Sequence, residues 1–299
     1  NLLKRGRGVE LASAYSPHER ESFTRAWWPV LLSSDSRTEL TLRYRIEDED
    51  SYRQDIYEAE LANLFSPSED LSLRLGVAFT DGDLVRRTED EELEIDEVGL
   101  ATIFRGRVYY DTSDNVIDPS DGLRLGLRTE YSPPGFLSDN PFLSLRSEAV
   151  TYVAVTGTTV LAGRVDAGGA WPLGDAQALL PSHRFFAGGA SSMRGYERRR
   201  LGPVDDEDQP IGGEARLLAG LEVRQELFGI FSGTVFVDSG QVWPTGAAAN
   251  LGDVKTAAGV GLLIGTPVGP IRFNVARNLG DPMHGDPRTV FHFAVGHPY

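Results

Sequence analysis

Residues 39–47 read Glu-Leu-Thr-Leu-Arg-Tyr-Arg-Ile-Glu. In an extended chain Leu40, Leu42, Tyr44 and Ile46 fall on one face, while Thr41, Arg43 and Arg45 fall on the other. A helix cannot sustain that period of two, so the stretch is a β-strand with one apolar and one charged face. The pattern returns along the chain. Leu71, Leu73, Leu75, Val77 and Phe79 alternate with Ser72, Arg74 and Thr80; Leu123, Leu125, Leu127 and Tyr131 with Arg124, Arg128 and Glu130; Ile271, Phe273 and Val275 with Arg272 and Asn274. Between the runs lie turn-forming clusters at 66–68, 81–83, 118–122, 133–135 and 157–158.

The spacing predicts about fourteen strands, each close to the 9–11 residues that cross a bilayer at a tilt. A soluble sandwich also alternates, but with short strands and about 100 residues per domain. Here the runs are long, carry Arg and Glu on the polar face, and have no linker between them. No stretch approaches an apolar spanning helix, and a mean hydropathy of -0.24 fits strands that hide every second residue from lipid. The expected fold is therefore all-β, a transmembrane antiparallel β-barrel. Leu40, Leu42, Leu73, Leu75, Leu125 and Val237 would face lipid, and Thr41 would be a lumen-facing position that accepts a charge cheaply. Tyr15, Trp27, Trp28, Tyr109, Tyr110, Tyr131, Trp171, Trp243 and Tyr299 stand near strand ends, as an interfacial girdle requires.

Composition narrows the functional classes. A net charge of -15 speaks against a nucleic-acid partner, since phosphate binding needs a basic surface. The acid concentrates at 89–97 and 205–208, between strand-like runs, where solvated loop tips are the expected reading. With no cysteine there is no disulfide framework and no thiolate metal site. The five histidines lack metal-ligand spacing and no serine lies in a nucleophile elbow, so neither a cofactor nor a catalytic centre is expected.

One long connection stands out. Residues 183–203, HRFFAGGASSMRGYERRRLGP, join an aromatic anchor, a glycine pair and an Arg194-Gly195-Tyr196 tip. Arginine is planar, permanently charged and carries a fork of donors, which suits a bidentate carboxylate where water is scarce. Alternation in Thr234–Asp238 puts Val235 and Val237 outward and Phe236 and Asp238 inward, which makes Asp238 the expected partner of Arg194. Glu222 and Arg224 share the inward phase and either join this network or line a wet lumen. The 181–213 loop is thus expected to fold into the lumen. Asp111 and Asp114 read as turn caps. The terminal FHFAVGHPY places Phe291, Phe293 and Val295 in one row and ends on Tyr299, the form of a closing-strand signal.

Four motifs occur in order: Tyr110–Asn115 with Pro119 and Gly122; Phe185–Gly189 through Met193–Tyr196; Phe236–Gly240; and Thr266–Phe273. Together they resemble the barrel of the outer-membrane insertase and two-partner secretion superfamily, most of all its TamA branch and then its BamA branch, from about residue 100 onward. The resemblance implies a sixteen-stranded bacterial outer-membrane barrel that assembles, inserts or translocates other polypeptides. It implies the bilayer and client outer-membrane or secreted polypeptides as partners, and an inner-membrane or lipoprotein partner reached through periplasmic repeat domains. It also implies Arg194, Gly195, Tyr196, Asp238 and Gly240 as the loop lock. Residues 1–299 would be the barrel domain. Asn1-Leu2-Leu3 with Gly6-Arg7-Gly8 resembles the family's entry into the third strand, so the repeats and the first two strands are expected to lie outside this chain. The alternatives are a polypeptide-secreting pore of the two-partner type and, further off, an outer-membrane enzyme barrel.

Overall fold

The computed structural model describes residues 6–29, 36–49, 51–86, 94–97, 99–267, 269–281 and 283–296. The strands are β1 (Gly8–Tyr15), β2 (Glu19–Pro29), β3 (Ser36–Asp48), β4 (Tyr52–Phe65), β5 (Leu71–Arg86), β6 (Glu94–Glu97), β7 (Ala101–Asp111), β8 (Gly122–Ser132), β9 (Phe142–Thr156) and β10 (Thr159–Pro172). After the long loop come β11 (Ala215–Phe228), β12 (Phe231–Trp243), β13 (Lys255–Ile264), β14 (Ile271–Asn278) and β15 (Thr289–Val295). They follow one sheet in sequence order, with the short β6 off the path on β5, so among the described residues fourteen strands form the run. Antiparallel neighbours in chain order need only turns between them.

The contacts divide the chain into two compact units, Asn1–Tyr109 with Leu127–Leu145 and Ala170–His183, and Tyr110–Gly126 with Arg146–Gly169 and Arg184–Tyr299. In the first unit the pairing of Phe23 with Arg43, Arg43 with Glu58 and Glu58 with Thr80 puts these side chains on one face. There Arg43 and Arg105 both reach Glu58, at 2.7 and 2.8 Å, Arg74 joins Glu39 to Glu60, and Arg105 also holds Glu130 at 3.0 Å. The opposite face exposes Leu11, Leu42, Leu61, Leu75 and Phe79.

In the second unit the same alternation runs through β11, β12 and β14. Leu221, Val223, Val235, Val237, Phe273 and Val275 are exposed, and Glu222, Arg224, Phe236, Asp238, Arg272 and Asn274 are buried. A small apolar core of Val150, Tyr152 and Ala162, with Val160 against it, lies on the buried side of β9 and β10.

Most outward positions stand as expected: Leu40, Leu42, Leu75, Leu125 and Val237 are exposed and Leu73 is half-buried. Three readings are corrected. Thr41 is only 1 % exposed, because Arg25 and Glu60 flank it across both ladders, so it is packed rather than wet. The 81–83 stretch is not a turn but lies inside β5. Gly82 pairs with Ile56 there, and a Cβ on it would stand 2.2 Å from the Asp55 carbonyl oxygen. Trp243 is buried rather than girdling. Gly213 and Glu214 of the returning loop lie on its carbonyl, and Gly202 packs against neighbouring Val242.

Candidate functional site

Residues 184–213 of the loop lie against the buried face of β10–β14. Two glycines make this approach possible. Gly188 has φ +111, and a Cβ there would stand 2.1 Å from the Glu197 carbonyl oxygen; Gly195 has φ +97, and a Cβ would stand 2.5 Å from that of Ala257. Only glycine holds such backbone without strain. The Ser192 hydroxyl accepts from the Gly188 N–H at 2.9 Å and donates to the Gly188 carbonyl at 2.7 Å, and the Gly189 N–H donates to the Tyr196 carbonyl at 2.9 Å. The tip is thus closed on itself before it meets the sheet.

At the tip, Arg194 is 1 % exposed. Its Nε donates to Asp238 Oδ2 at 2.7 Å and its Nη2 to Oδ1 at 2.9 Å, a fork on one carboxylate, while its backbone N–H reaches Oδ2 at 3.1 Å. Its Nη1 donates to Glu222 Oε2. The guanidinium carbon lies 3.4 Å from the centroid of the Phe236 ring, whose negative face favours a cation. Glu222 also accepts from Arg272 Nη2 at 2.8 Å and from Arg224 Nε at 2.9 Å. Three guanidiniums and two carboxylates therefore share one dry cluster. Removing one member of such a set costs more than any exposed pair, because its partners remain buried and charged.

The flanks of the tip are tied as well. The Gly195 N–H donates to His292 Nε2 of β15 at 3.1 Å. Tyr196 is 1 % exposed; burial, with the Asp286 carboxylate adding to it, pushes its hydroxyl up to about 12. Arg164 donates to the carbonyls of Ser191 and Ser192, and Arg216 donates to the Phe186 carbonyl at 3.0 Å and to Asp166 at 2.7 Å. On the other limb, Arg200 reaches Asp286 at 2.7 Å and His284 Nε2 lies 2.9 Å from the Gly202 carbonyl.

Arg194, Asp238, Glu222 and Arg224 come together, with Gly195 and Tyr196 beside them. Gly240 stands apart from the guanidinium: a Cβ on it would lie 2.5 Å from Leu218 Cδ2, so it lets β12 approach β11 rather than touching the tip. Phe291, Phe293 and Val295 are exposed on one face of β15, and Tyr299 lies outside the described residues. Asp111 and Asp114 cap their turn: Asp111 accepts from Ser113, and Asp114 from the N–H groups of Ser120 and Asp121. Sequence reasoning missed Arg272, Phe236 and His292 as members. The signal for Arg272 was present, since it shares the inward phase of β14 with Asn274.

An Omp85 superfamily domain model matches residues 1–299. Among curated proteins the chain is similar to the outer membrane protein assembly factor BamA of Nitratidesulfovibrio vulgaris, 27 % identical over 204 residues, 66 % of this chain and 25 % of that protein. The chain thus spans a quarter of that relative's length. Among solved structures it is similar to BamA from Haemophilus ducreyi lacking POTRA domains 1–3, with a TM-score of 0.86 and 20 % identity over 99 % of this chain and 65 % of that one. It also resembles CdiB from Acinetobacter baumannii, with a TM-score of 0.59 and 14 % identity over 92 % of this chain and 49 % of that one. The chain belongs to the Omp85 superfamily, and its fold is that family's antiparallel β-barrel of the bacterial outer membrane.

Proposed function

We propose that residues 1–299 are the membrane barrel of a machine that assembles, inserts or translocates other outer-membrane proteins, in the manner of the TamA and BamA branches of the superfamily. Its loop, residues 181–213, is held in the lumen by the lock of Arg194, Gly195, Tyr196 and Asp238, with Glu222 and Arg224 completing the network and Gly240 fitting β12 to β11. The observation that carries this reading is the buried fork from Arg194 to Asp238. A loop held by charge at its tip would obstruct a simple diffusion pore, and it positions a defined surface for a remodelling step. The 27 % identity to an assembly factor supports assembly over secretion. The partners are the lipid bilayer, client outer-membrane or secreted polypeptides, and an inner-membrane or lipoprotein partner reached through periplasmic domains, while Phe291, Phe293, Val295 and Tyr299 serve as the closing-strand signal for assembly of this barrel itself. The reading assigns no cofactor and no covalent chemistry.

The likeness to CdiB supports a second reading, a two-partner secretion pore. Full-length protein reconstituted in vesicles separates the two. Faster insertion of an unfolded client barrel, reduced by Arg194→Ala, is expected. Passage of a soluble polypeptide into the vesicle interior without barrel insertion would favour secretion. Neither activity would overturn both. Rescue of a strain lacking TamA but not of one lacking BamA is the result expected for the TamA branch, and the reverse would assign the BamA branch.

A further inference from the structure

The loop descends from the end of the strands where β10 finishes at Pro172 and β11 begins at Ala215. The turn between β7 and β8, residues 112–121, lies at the other end, beside Arg224 near the close of β11. Glu222 lies between them, met directly by the loop tip and, through Arg224, by the turn. From one side Arg194 donates to Glu222 Oε2; from the other, Arg224 Nε donates to Glu222 Oε1 at 2.9 Å while its Nη1 reaches the Pro119 carbonyl at 3.4 Å. Arg224 is 5 % exposed, and Pro119 is buried although the residues around it are not.

The turn is itself a fixed body. Asp114 accepts from the Ser120 hydroxyl and from the N–H groups of Ser120 and Asp121, at 2.5, 2.8 and 3.1 Å, which sets the position of Pro119 just before them. Gly122 has φ +114, and a Cβ there would stand 2.5 Å from the Thr112 carbonyl, so the return into β8 is tight. Arg124 clamps the far side, donating to the carbonyls of Asn115 and Val116 at 3.1 and 3.3 Å. The guanidiniums of Arg124 and Arg224 both lie over the Tyr152 ring, 5.4 and 5.5 Å from its centroid. The side chains therefore form a contiguous path: Asp114, the 119–121 backbone, Arg224, Glu222, Arg194.

We propose that the 112–121 turn and the 184–213 loop are thermodynamically coupled through Glu222, with Arg224 as the positioning residue, so that an event at the turn end of the strands changes how firmly the loop is seated. Coupling needs an element with two arrangements, and here it is the loop tip, seated on the cluster or withdrawn from it. Loosening the turn frees Arg224, Glu222 loses its fixed orientation, and the seat for Arg194 weakens. Linkage makes the effect reciprocal: unseating the loop loosens the turn.

The inference rests on the seated loop of the proposed function, and the test separates the two. Residues 1–299 hold no cysteine, so Met193→Cys, with any cysteine elsewhere in the full-length protein replaced by serine, gives a single thiol at a position that is 0 % exposed. Its modification rate is read in folded full-length protein, with heat-modifiable mobility confirming that the barrel is formed. Arg194→Ala should raise the rate and tests the lock. Asp114→Ala, whose side-chain bonds stay within the turn, should raise it about threefold or more, and Arg224→Gln likewise. Combining Asp114→Ala with Arg224→Gln should add little to either alone, and Arg224→Lys should restore part of the protection. If Arg194→Ala exposes the thiol but Asp114→Ala does not, or if the turn and Arg224 effects multiply, the coupling is wrong and the lock stands. If Arg194→Ala leaves the thiol protected, the lock itself fails. Should Asp114→Ala prevent folding, Asp114→Asn, which keeps an acceptor, is expected to give a smaller change of the same sign, and no change would count against the coupling.

Discussion

Phe236 and Gly259 face each other across the β12–β13 ladder, and the phenylalanine ring occupies the space where a side chain on Gly259 would be. A Cβ there would stand 2.4 Å from Phe236 Cζ and equally close to the Val275 carbonyl oxygen. Because the same ring lies under Arg194, the glycine fixes the floor of the charge cluster. Gly259→Ala should therefore cost about 1–3 kcal/mol by overpacking. Denaturant unfolding of the refolded protein in detergent measures this, and a neutral substitution would show that the ring has room to move.

The two carboxylates should behave differently. Asp238 is bonded by Arg194 through three N–H groups, whereas Glu222 also holds Arg224 and Arg272. Asp238→Asn is expected to release the loop at about 3–5 kcal/mol while the strands remain paired. Glu222→Gln leaves three guanidiniums facing a neutral group and should also weaken the sheet. Arg194→Lys keeps the charge but not the fork, so it should recover only part of the loss. Protease protection of the loop, set beside global unfolding, distinguishes these outcomes.

Acid should loosen the turn as pH falls toward about 2. Hydrogen bonds from the Ser120 hydroxyl and the Ser120 and Asp121 N–H groups hold the Asp114 carboxyl down at about 2. Its folded value lies below the usual unfolded value of about 3.9, so its contribution is full above that value and is lost as pH falls through about 2. Asp114→Asn should flatten this part of the acid limb. Hydrogen exchange of the Ser120 and Asp121 amides between pH 5 and pH 2 follows it, and an unchanged profile would deny the carboxylate its role.

Outward positions of β12 should report lipid. Arg in place of Val235 or Val237 is expected to cost about 2–4 kcal/mol near the bilayer midplane and progressively less toward either interface. Unfolding free energies in lipid vesicles give the profile. A uniform small cost at both positions would remove lipid from that face.

The β-strands were legible because alternation follows directly from backbone geometry, as in Leu40–Ile46 and Thr234–Asp238. Phase also identified Asp238, Glu222 and Arg224 as inward. It did not show distance: Arg272 is three strands from Glu222 along the sheet, and only the length of its side chain joins them. Trp243 illustrates the other limit. An aromatic at a strand end reads as a girdle until the loop covering it is placed, and loop paths depend on contacts distant in sequence. Gly82 was misread because glycine beside aspartate signals a turn locally, whereas here it relieves a close approach to β4.

The separation between the Arg194 guanidinium and the Asp238 carboxylate in the full-length protein, determined by electron cryomicroscopy in a lipid nanodisc, bears on the lock most directly. Hydrogen-bond contact, near the 2.7 Å found between Nε and Oδ2, is the expected result. A loop extended away from the strands, with Arg194 in bulk water and more than about 10 Å from Asp238, would contradict it.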